Sequence, residues 1–299
     1  MMKHNYFLFL TGILLLCGLL GSCNLYNPAE PVPSYIRIQK IDLTTDPAIE
    51  GTNSHKITDA WVYIDGKLIG TYELPVLLPV LAEGTHELLI KAGIKVNGIS
   101  ATRAPYPFYN SYKQSITLTA GAITSVSPTV TYVSGLDWTE IWMEDFENPA
   151  VMTLDTSATG TDTNMFHRMI ADGTTSPEVF EGNGSGIAYI DSDNSKFEYM
   201  SSISYFLPRG DSPVFLEFNY RSNYDFVVGV FAHGSSGTFQ TKVINVHGTL
   251  AWNKIYVYLS PTITASGTAT DYTIFFGMLN TTESNGLYLA LDNIKLIHY

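Results

Sequence analysis

"PVFLEFNYRS", residues 213–222, places Val214, Leu216, Phe218 and Tyr220 on one side of an extended chain and Phe215, Glu217 and Asn219 on the other. A period of two marks a β-strand with one face turned to a core. The same texture recurs in "GIAYID" (186–191), "SISYFLP" (202–208), "DFVVGVFAH" (225–233), "TFQTKVINV" (238–246), "AWNKIYVYL" (251–259), "DYTIFFGML" (271–279) and "GLYLALDNIKLIHY" (286–299). Many short strands, with no run long enough to form a helix that covers a sheet, predict a jelly-roll sandwich over 141–299.

Upstream, "WVYIDGKLIGTYEL" (61–74) sets two period-2 segments on either side of Asp65-Gly66. An Asp-Gly pair between such segments is a strong hairpin signal, because a tight two-residue turn needs positive φ. Pro75 and Pro79 suit an edge strand or a loop, since proline gives no ladder hydrogen bond. A strand over His86 to Ala92 follows, and "SYKQSITLTAGAITSVSPTVTYV" (111–133) supplies two more around Ala120-Gly121. The expectation is an all-β protein of two β-sandwich domains, 35–134 and 141–299, joined by a linker over 135–140. Gly135 is the breaker within "VSGLDWTE" (133–140), after which the charge density changes.

The first 22 residues combine Lys3 with an apolar run from Tyr6 to Leu20, the pattern of a secretory signal. That run is short of the roughly 20 residues needed to span a bilayer. "LGSC", ending at Cys23, resembles the bacterial lipobox, which implies cleavage before Cys23 and lipid attachment there. Cys17 is lost with the signal, so the processed chain keeps one cysteine and forms no internal disulfide. Residues 23–34, polar and proline-rich, read as a tether. The expected address is the outer membrane, on either its periplasmic or its surface side.

Two stretches carry family resemblances. Val62, Asp65-Gly66, Gly70, Pro75 and "LAEGTHELLIKAG" resemble the PEGA-type β-sandwich of bacterial envelope proteins, although Pro79 and the insertion "IKVNGISATRAPYPFYNSY" depart from it. "EDFEN", "GSGIAYID", "WNKIYVYL" and "LDNIKL" occur in the order seen in the cleaved-adhesin and MAM-like jelly rolls of Bacteroidota surface proteins, relatives of galactose-binding-type carbohydrate modules. The second resemblance implies a structural calcium where the first strand meets the last. It projects onto Glu147 with Asp292, and further onto Glu144, Asp145 and Asn293. Calcium takes six to eight oxygen ligands. On a strand Glu144 and Asp145 point to opposite faces, so the alternative is a solvated acidic strand.

The formal charge is −12, with 18 acidic against 7 basic residues over 139–299. An acidic surface repels phosphate backbones, which disfavours nucleic acid as a partner. Asp191, Asp193 and Asn194 open like an EF-hand loop, but Lys196 and Ser202 stand where its glycine and glutamate belong, so an Asx-rich turn is the better reading. The histidines show no zinc spacing, and Ser185 in "GNGSG" runs into a strand rather than a nucleophile elbow.

The expected function is therefore non-catalytic binding, of a glycan or an envelope protein, by the jelly roll. The contact candidates are Tyr220 and Tyr224 together with Tyr106, Phe108 and Tyr109, the last three on a proline-broken loop. The alternatives are a structural subunit of an envelope assembly with no free ligand, and, ranked lower, a glycan hydrolase working through paired carboxylates.

Overall fold

The computed structural model describes residues 30–157, 166–171 and 178–299. Cys23, the signal and most of the tether lie outside the described residues. Among the described residues no helix is long and apolar enough to cross a membrane.

The first domain holds ten strands: β1 (Ser34–Ile38), β2 (Asp42–Leu43), β3 (Asp59–Ile64), β4 (Lys67–Glu73), β5 (Val76–Val80), β6 (Gly84–Lys95), β7 (Arg103–Pro105), β8 (Tyr112–Leu118), β9 (Ile123–Val126) and β10 (Thr129–Val130). One layer is β5-β1-β9 with the small β10-β2 pair, and the other is β4-β3-β6-β7 with β8 also on β6. Asp65 and Gly66 have φ of 48° and 78°, so the β3–β4 turn has the two left-handed residues that the dipeptide predicts. Asp65 also accepts the Glu87 N–H at 2.8 Å and meets the His86 ring at 2.6 Å, tying the turn to β6. Pro79 lies in β5, an edge strand paired only to β1.

The second domain has eleven described strands: β11 (Trp142–Glu144), β12 (Leu154–Thr156), β13 (His167–Ile170), β14 (Gly184–Ile190), β15 (Lys196–Ser201), β16 (Phe215–Ser222), β17 (Phe226–Gly234), β18 (Gly237–Val246), β19 (Thr249–Tyr258), β20 (Ala269–Leu279) and β21 (Leu287–Ile297). Sheet order is β13-β14-β21-β16-β19, with β11 also on β21, facing β12-β15-β20-β17-β18. Between them Leu216, Phe218, Val228, Val230, Ile274, Phe276, Leu289 and Leu291 make the core, each 0% exposed. The expected strand over 202–208 is absent; Tyr205 makes a single bridge to Tyr272 and the segment is otherwise irregular. A short helix, α1 (Ser260–Ala265), starts on a proline at its first turn.

Strand β16 departs from the sequence expectation in one decisive respect. Its outward residues are also buried: Phe215 is 5%, Glu217 0% and Asn219 2% exposed, because the first domain lies over them. Glu217 and Lys254, 2.9 Å apart, form a fully buried ion pair. Tyr106 donates to Glu217 at 2.6 Å, Tyr132 sits at 3.3 Å, and Lys254 donates to the Ser54 carbonyl at 2.8 Å. Beside them Lys295 donates to the Thr52 carbonyl at 3.0 Å and lies over the Tyr132 ring. Burial and the neighbouring Lys254 push the Lys295 amine down to about 7. The backbone continues the join, with Asn97 N–H on the Tyr256 carbonyl and Tyr258 N–H on the Asn97 side chain, both at 2.8 Å. The two sandwiches thus share a buried interface with its own polar centre.

Removing one partner of a buried pair leaves an uncompensated charge, so Glu217→Ala is expected to cost about 3–5 kcal/mol. Urea unfolding checks this. Glu217→Met combined with Lys254→Met, which removes both charges, is expected to recover most of the loss.

Candidate functional site

The face of the first sheet that is not core-facing is taken up by the first domain and, at its far end, by the segment holding Phe180. Trp252 donates to the Glu178 carbonyl at 2.9 Å and packs edge-on to Phe180. Among the described residues the outer face of the second sheet is uncovered and hollow. Glu198 on β15 and Gln240 on β18 are separated by β20 and β17, roughly 14 Å across a flat sheet at ordinary strand spacing. Their side chains nevertheless meet at 2.6 Å, so the sheet curls into a trough.

The trough has two continuous sections that share Val227, Gly277, Met278 and Leu279. One, of about 350 Å³, adds Lys196, Glu198, Gln240, Lys242 and Phe275. The other, of about 620 Å³, adds Asn223, Tyr224, Asp225, Asn245 and Thr281. Two glycines make room for this floor. A side chain at Gly229 would strike the Phe275 ring and come within 2.5 Å of the Thr241 carbonyl, whereas one at Gly277 meets nothing nearer than 3.6 Å.

The polar walls are held in place. Glu198 is 6% exposed, with one oxygen on the Ser157 hydroxyl and the other on the Gln240 amide. Asp225 accepts the Gly248 N–H at 3.0 Å and pairs with His247 at 2.9 Å. The Tyr224 hydroxyl lies 3.0 Å from that of Thr281, a hydrogen bond that draws its pKa below the usual tyrosine value.

The sequence candidates fare unevenly. Tyr224 lines the trough. Tyr220, 5% exposed, is in the sandwich core beside Phe218 and Phe226, because β16 alternation turns it inward. Tyr106, Phe108 and Tyr109 are 2%, 0% and 7% exposed. Their proline-broken loop is a contact surface between the domains, packed on Phe215 and Tyr256, and they are not exposed for a ligand. Lys196, Glu198, Gln240, Lys242 and Gly277 were not evident from sequence, since alternation marks them as outward without telling which outward face stays open.

The acidic opening of the second domain lies where β21 passes from β11 to β14: β11 pairs with 294–296 and β14 with 287–291. Asp292 and Asn293 fall in the gap, Asn293 with φ 51° opposite a register shift in β16. Glu144 accepts the Phe146 N–H at 2.8 Å and both the amide and hydroxyl of Thr153. Asp145, exposed, accepts the Glu147 N–H at 3.0 Å. Glu147 accepts the amides of Asn183 and Gly184 at 2.7 and 3.1 Å and the Asn183 side chain at 3.0 Å. Asp292 accepts the Ser185 hydroxyl at 2.5 Å and the Asn293 N–H at 2.7 Å.

These carboxylates point at N–H and O–H donors. Among the described residues no three Asp, Glu, His or Cys side chains converge. In this arrangement the described carboxylates serve as hydrogen-bonded struts. Asp191 likewise accepts the N–H groups of Asp193 and Asn194, at 3.0 and 2.7 Å, as in an Asx turn.

No family model matches the sequence, and no curated protein matches it. Solved structures similar in fold are carbohydrate-binding modules and cleaved-adhesin jelly rolls. The CBM22-1 xylan-binding domain of Paenibacillus barcinonensis Xyn10C is 11% identical, with 52% of this chain and 92% of that one covered and a TM-score of 0.37. The K1 cleaved adhesin domain of Lys-gingipain from Porphyromonas gingivalis W83 is 14% identical over 52% of this chain and 96% of that one, with a TM-score of 0.36. The enzymatically active domain of bacteriophage CBA120 tailspike protein 4 is 14% identical over 52% of this chain and 20% of that one, at 0.38.

Burial, with Glu181 and Glu147 nearby, raises the Asp292 carboxyl to about 8 from 3.8. The folded state then holds a proton that the unfolded state has lost between those values, so this group's contribution to stability falls as pH rises through the window. Asp292→Asn mimics the protonated acid. It is expected to leave Tm unchanged near pH 4 and to raise it by several degrees at pH 8, with EDTA having no effect on either protein. A drop in Tm at pH 8, matched by EDTA on the wild type, would restore the calcium site.

Proposed function

We propose that this is a lipid-anchored envelope protein that binds a glycan in the trough of its second domain and does no chemistry on it. The observation that carries the reading is the trough itself: an open, curled sheet face with a low apolar floor and polar walls fixed by their own hydrogen bonds. A saccharide offers a weakly polar C–H face and a rim of hydroxyls. Val227 and Leu279 suit the first, and Gln240, Asn245, Asn223 and Tyr224 suit the second. Such sites work with groups positioned beforehand, because each side chain ordered on binding reduces affinity.

The hydrolase alternative finds little support here. Among the described residues Glu198 and Asp225 are the carboxylates along the trough, and hydrogen bonds to Ser157, Gln240, Gly248 and His247 engage all four of their oxygens. A general acid needs its proton within reach of the leaving oxygen. The first domain is read as a rigid mount that keeps the trough turned away from its own contact face, and Cys23 as the lipid attachment point.

The test uses the whole chain from residue 23, since residues 139–299 alone would expose Phe215, Glu217 and Lys254. On a glycan array, Gly277→Leu, which fills the floor, and Gln240→Ala are expected to lose the wild-type signal while keeping Tm within a few degrees. Retention of the same hits by both variants would remove the trough from the reading. Separately, Cys23→Ser in a bacterial host is expected to abolish incorporation of a labelled fatty acid and release the protein from the membrane fraction.

A further inference from the structure

Among the described residues the first domain also has an uncovered sheet face. In the β5-β1-β9 layer Ile36, Ile38, Leu78 and Val126 are buried in the core. Alternation turns their neighbours outward, and the register sets these in two rows: Leu77, Arg37 and Ser125, then Pro79, Tyr35 and Ile123. The chain stays beside β1 past the end of β5, because the Ser34 hydroxyl lies 3.0 Å from both the Val80 and the Ala82 carbonyl oxygens. That continuation adds Leu81 to the outer side. Val32 stands at the rim, where a Cβ on Gly121 would meet it at 3.8 Å.

An antiparallel layer with one side in water ordinarily carries polar residues there. This one does not. Leu77, Leu81 and Ile123 are 46%, 71% and 47% exposed, and Val32 is 60% exposed. Arg37 is the one charged side chain among the six outer positions, in a chain with 28 acidic and 16 basic residues. A contiguous apolar patch on an otherwise charged surface marks contact with a protein or a membrane.

The position of the face chooses between the two. The tether arrives on β1, where Ser34 follows Cys23 by 11 residues. An extended chain spans at most about 3.6 Å per residue, so the start of β1 stays within about 40 Å of Cys23. A lipid on that cysteine would hold the face beside a bilayer at an effective concentration on the order of millimolar, where a weak apolar contact suffices. Strand pairing with a second copy is opposed at the β5 edge, since Pro79 has no N–H to offer.

We propose that the outer face of the β5-β1-β9 layer rests on the lipid surface to which the chain is anchored. This rests on the reading of Cys23 as the lipid attachment point and adds an orientation to it. Aliphatic side chains enter the boundary between headgroups and acyl chains, while the long Arg37 side chain keeps its charge among the headgroups. The tether brings one charge, Glu30, and Glu83 follows Leu81 by two residues, so no net cationic attraction is available and the contact is chiefly apolar. The buried Glu217–Lys254 interface then passes the orientation on to the second domain.

The experiment uses the chain from residue 23, in which Cys23 is the only cysteine. Its thiol is coupled to a maleimide-headgroup phospholipid in phosphatidylcholine vesicles, or capped with a soluble maleimide, and hydroxyl-radical oxidation of side chains is compared. Oxidation of Leu77, Leu81 and Ile123, relative to the exposed Phe239 of the second domain, is expected to fall at least about threefold on vesicles and to be insensitive to salt. Leu81→Asp combined with Ile123→Asp is expected to return Leu77 to its solution level at unchanged Tm. Equal oxidation on vesicles and in solution, or protection of Leu77 that survives the double substitution, would overturn the proposal. Protection that the capped chain shows by itself and loses on dilution would assign the face to a second copy and overturn it too. Because the coupling is chemical, the outcome is separate from lipidation in a host. A host that leaves Cys23 unlabelled removes the anchor and the inference with it, whereas an unchanged footprint removes the face alone.

Discussion

The Glu217–Lys254 pair is the interaction on which the arrangement of the whole chain depends. Both ions are buried and held by protein groups, and the partners come from both domains: Tyr106, Tyr132 and the Ser54 carbonyl from the first, β16 and β19 from the second. A pair of this kind adds little net stability over a well-packed apolar equivalent. Its effect is on specificity. Any sliding or opening of the interface strands a charge, so the two sandwiches are held in one relation, with burial raising the Tyr106 and Tyr132 hydroxyls far above their ordinary pKa and keeping them as donors.

That fixed relation decides which surface is left for a ligand. A β-sandwich has two outer faces, and here the first domain and the Trp252–Phe180 contact cover most of one. The other keeps its curvature and its glycines. The first domain thus acts on the site without touching it, by occupying the face on which β16 displays Phe215, Glu217 and Asn219.

Much of the fold was legible in the residues. Asp65-Gly66 gave the hairpin, Pro79 the edge strand, and the alternation of 214–220 the inner face of the sandwich. What covers the outer face of the same strand was not legible, because Glu217 gives no local sign of Lys254 and Tyr106. The aromatics of 103–112 misled for a related reason: prolines announce a loop correctly, but a loop can be roofed by another domain. Of the site, only Tyr224 was found. The acidic "EDFEN" and "LDN" segments do lie side by side, and their carboxylates turn out to be bonded to backbone amides and hydroxyls.

The missing part of the site reduces to a single residue of register. Strand alternation assigns faces by parity, and the extra residue in β18 inverts parity midway, exchanging Thr241 and Phe239 for Lys242 and Gln240 on the trough side. A bulge also bends its strand and increases local twist, which brings β18 over toward β15 so that Gln240 can reach Glu198. Gly229 sits directly at the register shift, and the space left by its missing side chain is filled by the Phe275 ring on the neighbouring strand. Curvature, floor and charge at this end of the trough therefore share one cause. Restoring ideal alternation in β18 would turn Lys242 and Gln240 off the trough face and separate Gln240 from Glu198.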